Sequence, residues 1–156
     1  MRRHPILASA ALAVIFTASA ARADSTKEYA PTPPKPAAAA TLGDAEHKIA
    51  ASDYQGAIPI LAAIVKADPN NTDALNLMGY SMRKTGQTAM ALQYYNKALA
   101  LSPKHIGANE YLGELYVELG QMDKARERLE VLQSACGNCA QTRELADFIG
   151  KAGPKS

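Results

Sequence analysis

The chain has no tryptophan, and only two of its 156 residues are phenylalanine and two cysteine. So thin a complement of large aromatics argues against a β-sandwich, whereas abundant alanine suits closely packed helices. Two cysteines are too few for the cross-linked framework of a miniature secreted scaffold. Charge of one sign is also scarce: 17 Lys and Arg face 15 Asp and Glu, a formal +2. A nucleic-acid binder would instead concentrate positive charge in a patch. What remains is 47 % apolar composition, which argues against a wholly disordered chain, at a length that fits one domain.

The first segment changes this arithmetic. Met1-Arg2-Arg3-His4 is a short basic head, followed by the apolar run 6–16 and then small residues. Ala21-Arg22-Ala23 sets small side chains where a signal peptidase reads them, so 1–23 is expected to be an export signal cut after Ala23. The alternative is an uncleaved anchor, but the run is short, diluted by Ala and Ser, and spans poorly against roughly 20 strongly apolar residues. The pattern suits a Gram-negative bacterium, with the mature protein periplasmic or secreted and no longer membrane-bound. Cleavage removes Arg2, Arg3 and Arg22, leaving 14 cations (17 less three) against 15 anions, a net −1. No electrostatic case for nucleic acid survives. Residues 24–40 carry four prolines between Pro31 and Pro36 and read as an extended spacer. The rival reading makes Pro33-Pro34-Lys35-Pro36 a ligand for a proline-recognising module, a class that is largely intracellular.

Beyond the spacer the chain repeats itself every 34 residues. Ala57, Ala91 and Ala125 form one column, Leu61, Tyr95 and Leu129 a second, and Pro69, Pro103 and Gly137 a third. Gly79 pairs with Gly113 and Gly86 with Gly120 at the same interval. A small residue four positions before a large apolar one lets one helix approach a neighbour and then fill its hole. Gly86 and Gly120 end helices in a left-handed cap, and the prolines stop the next ones. The spacing predicts helices over 42–51, 54–67, 72–84, 88–100, 106–118, 122–134 and 140–151, with Asp53 capping the second and Pro59 bending it slightly.

Residues 72–105 read Leu75-x2-Met78-Gly79-x2-Met82, Ala91-x3-Tyr95, Pro103; residues 106–139 read Asn109-x2-Leu112-Gly113-x2-Tyr116, Ala125-x3-Leu129, Gly137. The chain here resembles the tetratricopeptide repeat, whose pattern is Trp-x2-Leu-Gly-x2-Tyr, Ala-x3-Phe, Pro. An earlier copy, about 38–71, keeps Ala57-x3-Leu61 and Pro69 but has Asp44-Ala45 and Lys48 in its front half. The expected fold is an all-α, TPR-like solenoid of about three helix-turn-helix repeats, a domain over 41–152, closed by a capping helix over 140–151 with Leu145, Phe148 and Ile149 on its apolar side.

The resemblance implies that the first helix of each repeat lines a concave groove which holds protein segments. Carried across, the groove face is Asn76, Leu77, Tyr80, Arg83 and Lys84, then Glu110, Tyr111, Glu114, Val117 and Glu118. Glu110, Glu114 and Glu118 recur at i, i+4, i+8 and form an acidic stripe, in which each like-charged pair costs about 0.2–0.5 kcal/mol. The stripe is either solvated, paired internally by Arg83 and Lys84, or turned toward positive charge on a ligand. Tyr80 and Tyr111 are the stronger contact candidates, combining area with a hydroxyl.

Catalytic chemistry finds no footing. His47 and His105 have no metal-ligand partner at i+3 or i+4 and read as surface or helix-end residues. No phosphate loop, nucleophile elbow or His-Glu-x-x-His pattern occurs. No cofactor or metal is expected. Cys136-Gly137-Asn138-Cys139 is the one pointed feature. Haem attachment would need His at 140, where Ala stands. In an oxidising compartment the pair reads as a structural disulfide; a redox dithiol at a helix start, and metal or intermolecular pairing, are the alternatives. The expected function is a non-enzymatic, exported protein-binding adaptor. The alternatives are a thiol–disulfide or metal-responsive protein acting through Cys136 and Cys139, and self-association into a homo-oligomer.

Overall fold

A computed structural model describes residues 40–152; the expected signal 1–23 and the spacer up to residue 39 lie outside the described residues. Seven helices follow in order: α1 Leu42–Ala50, α2 Tyr54–Ala67, α3 Thr72–Lys84, α4 Thr88–Leu101, α5 Ile106–Glu118, α6 Met122–Cys136 and α7 Ala140–Ala152. Three match the expected limits at both ends, and three others differ by a single residue at their C-termini. The real departure is α6, which runs two residues past 134.

Local chemistry explains these limits. Thr41 and Asp44 form a capping box on α1, with the Thr41 hydroxyl accepting from the Asp44 amide and Asp44 accepting from the Thr41 amide. The Asp44 carboxyl is held below the usual range by hydrogen bonds from the Thr41 side chain and backbone. Asp53 caps α2 by accepting from the Gly56 amide at 2.9 Å, and Asn71 caps α3 by accepting from Ala74 at 2.9 Å. His105 caps α5 through Nδ1, which accepts from the Ala108 amide, while Nε2 meets Asp73 at 2.9 Å.

At the two earlier junctions the residue before proline, Asp68 or Ser102, is forced out of the helical region and stops α2 and α4. At the third, Gly137 replaces that proline, so residue 136 is free to stay helical. Helix α6 therefore continues to Cys136 and stops only at Gly137, with φ of 65°.

Each odd helix packs on the even helix that follows, α1 on α2, α3 on α4 and α5 on α6, and each pair packs on the next. The odd helices also touch one another, α1 with α3, α3 with α5 and α5 with α7, whereas the even ones do not. The odd helices therefore converge on the inner side of a curve. This is an all-α solenoid of three helix pairs closed by α7.

Small residues on the odd helices make this approach possible. An added Cβ at Gly79 would lie 2.6 Å from the Tyr95 ring, so the fully buried Tyr95 fills the space that Gly79 leaves. Burying such a ring contributes about 2 kcal/mol. Gly113 holds the same register, but its space is filled by Leu145 of α7, 2.5 Å from the added Cβ, while Leu129 is only half-buried. The final helix thus seals the last repeat with its own buried leucine. Its outward positions Arg143, Asp147 and Lys151 are exposed, so the end of the stack presents polar groups to water. Among the described residues no helix is long and apolar enough to cross a membrane.

Candidate functional site

The inner face is built from α3, α5 and the start of α2. Tyr80 of α3 is central. Its ring lies 4.6 Å from that of Tyr111 on α5, tilted by 38°, and 5.8 Å from that of Tyr54, edge to face at 72°. All three are half-buried, so each keeps ring area open to a ligand. Burial first, then the neighbouring Tyr54, pushes the Tyr80 phenol up to about 12. Lys84 caps one end of the ladder, its Nζ 5.8 Å from the Tyr54 centroid and 5.9 Å from that of Tyr80. Lys84 does not pair with the acidic stripe.

Arg83 does. Its guanidinium donates to Glu114 through Nη1 and makes a two-pronged contact to Glu118, Nε–Oε2 3.1 Å and Nη2–Oε1 2.7 Å. Burial alone would lower its basicity; hydrogen bonds to Glu118 and then Glu114 outweigh that and raise it. This clamp ties α3 to α5 across one repeat and accounts for two of the three stripe carboxylates. It also lies beside the buried Tyr95 hydroxyl, which itself meets no hydrogen-bond partner.

Glu110, the third, is left out of the clamp. It is only 3 % exposed, and its neighbouring carboxyl is that of Glu144 on α7. Burial first, then that neighbouring carboxyl, pushes it up to about 8. Burial and the adjacent Glu110 also raise the Tyr111 phenol. Of the remaining positions, Asn76 is buried, its amide nitrogen against Gly107 of α5. Leu77 is partly buried against the main core, and Val117 is buried. The implied groove residues thus divide into exposed Lys84 and Glu118, half-buried Leu77, Tyr80, Tyr111 and Glu114, and a covered floor of Asn76, Glu110 and Val117 with the Arg83 side chain largely covered beside it.

Three participants escaped the sequence reading. Tyr54 has no counterpart in its column, where Thr88 and Met122 stand, so periodicity held no signal for it. Glu144 did carry one, since Asn76, Glu110 and Glu144 are 34 residues apart. Ser52 likewise shares a column with Gly86 and Gly120 and adopts their positive φ, 59°.

The sulfurs of Cys136 and Cys139 are bonded, with the Cα atoms 5.7 Å apart. The pair joins the last turn of α6 to the residue preceding α7, and the Thr142 hydroxyl of the first turn of α7 lies 3.3 Å from Cys139 Sγ and 3.5 Å from Cys136 Sγ. Among the described residues no group of three or more His, Cys, Asp or Glu is placed to hold a metal.

Two family models described as Tetratricopeptide repeat match residues 42–106 and 82–141. A human protein, General transcription factor 3C polypeptide 3, is 32 % identical over 90 residues, 57 % of this chain but 10 % of that protein, so the chain spans a tenth of this curated relative. Among solved structures, the TPR2B domain of yeast Sti1 in its pHsp70 complex superposes with a TM-score of 0.63 at 18 % identity, over 69 % of this chain and 89 % of that one. The Yersinia enterocolitica type III secretion chaperone SycD, in complex with a peptide of the translocator YopD, gives 0.61 at 17 % identity, over 70 % and 84 %.

Proposed function

The chain belongs to the tetratricopeptide-repeat family, and from that premise we propose that it is an exported, non-catalytic adaptor holding an extended segment of another protein against its inner face. The observation that carries this reading is the ladder Tyr54–Tyr80–Tyr111, three half-buried rings in contact on the inner side of the curve. Open aromatic area at the centre of a concave face is where binding energy concentrates in protein interfaces. Support by analogy comes from the yeast and Yersinia neighbours, each solved with a partner or peptide. Export to the periplasm rests on the leader pattern of residues 1–23.

A photo-crosslinking side chain at Tyr80 or Tyr111 is expected to capture one set of envelope proteins that the same group at exposed Gln93 of α4 does not. Capture that is equal from both faces overturns the groove. Fractionation with N-terminal sequencing tests export, with Asp24 expected as the first residue. A second reading, a thiol–disulfide protein, rests on both sulfurs lying at the first turn of α7. A reduction potential below about −300 mV marks a structural bond and removes it.

A further inference from the structure

Three oxygen-bearing side chains stand at one register of consecutive inner helices, Asn76 on α3, Glu110 on α5 and Glu144 on α7. No cation answers them. Among the described residues neither Glu110 nor Glu144 enters an ion pair. The charged groups facing Glu110 are Glu144 from α7, Glu114 from its own helix and Arg83 from α3, and Arg83 is already engaged by Glu114 and Glu118. Arg143, next to Glu144 in the chain, donates instead to the Asn138 carbonyl. Asn76 supplies an independent sign. It is 6 % exposed, and its Oδ1 receives no hydrogen bond, while its amide nitrogen lies against Gly107, one turn before Glu110 on α5.

A buried amide oxygen without a donor is costly, and so is a buried carboxyl whose nearest partner is another carboxyl. One ligand group relieves both: a cation with several N–H donors. An ammonium brings three such donors and a guanidinium five. The neighbouring ring of Tyr111, and beyond it Tyr80, offers faces that attract the same group.

We propose that the Asn76–Glu110–Glu144 row is the subsite for a lysine or arginine side chain of the bound segment, so that the groove selects a basic residue flanked by apolar ones. This rests on the groove reading above. When the cation enters, the proton that Glu110 keeps leaves to solvent, and a carboxylate–cation pair replaces the carboxyl–carboxylate one.

The test is calorimetric titration of the purified protein at pH 7 with acetyl-Gly-Leu-Lys-Leu-Gly-amide and with its norleucine counterpart, in two buffers of different ionisation enthalpy. The lysine peptide is expected to bind about tenfold more tightly and to release a substantial fraction of one proton. Glu110→Gln is expected to abolish the release, and Glu110→Gln and Glu144→Gln, each with unchanged circular dichroism, are both expected to bring the two peptides within about twofold. Equal affinity of the two peptides for the wild-type protein overturns the subsite and leaves the groove standing, since the crosslinking at Tyr80 and Tyr111 decides that separately. Undetectable binding of the lysine peptide, or proton release that persists in Glu110→Gln, also overturns it. Binding that emerges only in a Lys27→Ala, Lys35→Ala double variant assigns the row to the chain's own leader-proximal segment and overturns the partner assignment.

Discussion

Replacing Ser52 by glycine should make the protein more stable although it removes a side chain. At three places, 34 residues apart, an odd helix turns into its even partner through the same pair of bonds. Asp53 N donates to Lys48 O, Gln87 N to Met82 O and Gln121 N to Tyr116 O, each at 2.8 Å, and the residue before each donor bonds back at 2.8–3.0 Å. That residue takes positive φ in all three: Gly86 at 79°, Gly120 at 71° and Ser52 at 59°. A side chain in this region costs about 1–2 kcal/mol. Glycine removes that strain but returns about 0.4–1 kcal/mol through a freer unfolded chain, for a net gain of about 0.5–1 kcal/mol. Ser52→Ala keeps the strain and loses the hydroxyl beside Tyr54, so the contrast between glycine and alanine at 52 isolates the backbone effect. Conversely, Gly86→Ala and Gly120→Ala should each lose about 1 kcal/mol, and this cost is conformational because nothing lies within 4 Å of an added Cβ at either site. Urea unfolding gives the energies, and thermal unfolding should move by about 3–6 °C per kcal/mol for a folded part of this size. A Ser52→Gly protein no more stable than Ser52→Ala refutes the reasoning, as does a Gly86→Ala protein indistinguishable from wild type.

Arg83→Met strands Glu114 and Glu118 against each other and should cost about 2–3 kcal/mol, below the full range for buried pairs because Glu118 is 44 % exposed; urea unfolding measures it, and Arg83→Lys should recover little since the two-pronged contact is lost. Tyr95→Phe should leave stability unchanged or raise it by up to about 1 kcal/mol, since it removes a buried hydroxyl without a partner; a loss above that in thermal unfolding contradicts the assignment. Reducing Cys136–Cys139 opens a loop of four residues and should cost about 2 kcal/mol, seen as faster amide exchange confined to α7 and its seat on α5. For Glu110 the sign follows from its raised pKa: the unfolded carboxyl ionises near its ordinary value while the folded one keeps its proton to about 8. Its contribution to stability should therefore fall as pH rises from about 4.5 to 8 and level off above, and Glu110→Gln should flatten that slope in unfolding titrations.

Helix positions were legible because the signals are local. A capping side chain, a proline or a glycine fixes an end wherever the chain goes, which is why Asp53, Gly86 and Pro103 mark their boundaries well. The period carried the packing of Gly79 on Tyr95 but misdirected that of Gly113. Its column partner Leu129 is displaced by Leu145, and only the placement of α7 against α5 reveals it. On the inner face, the residue types were readable and their pairings were not. Arg83 and Lys84 are adjacent in sequence, yet one turns inward to two carboxylates and the other outward over two rings. Tyr54 entered the site from an even helix, where repeat logic places no groove residue. Burial, which separates Glu110 from Glu114 and Glu118, depends on α7 closing over it.

The joints between repeats are not equally stiff. Positions 68–71, 102–105 and 136–139 are the same four residues of successive repeats: the first two hold the next helix through a proline and a hydrogen-bonding cap from Asn71 or His105, the third through a sulfur–sulfur bond. Hydrogen-bonded caps yield and re-form under thermal motion, whereas a covalent tie does not. The curve should therefore breathe by swinging α1 to α4 about a fixed end formed by α5, α6 and α7. In that motion Arg83 on the swinging part and Glu114 and Glu118 on the fixed part act as the latch, and a segment bound along the tyrosines would be gripped or let go at the joint they span.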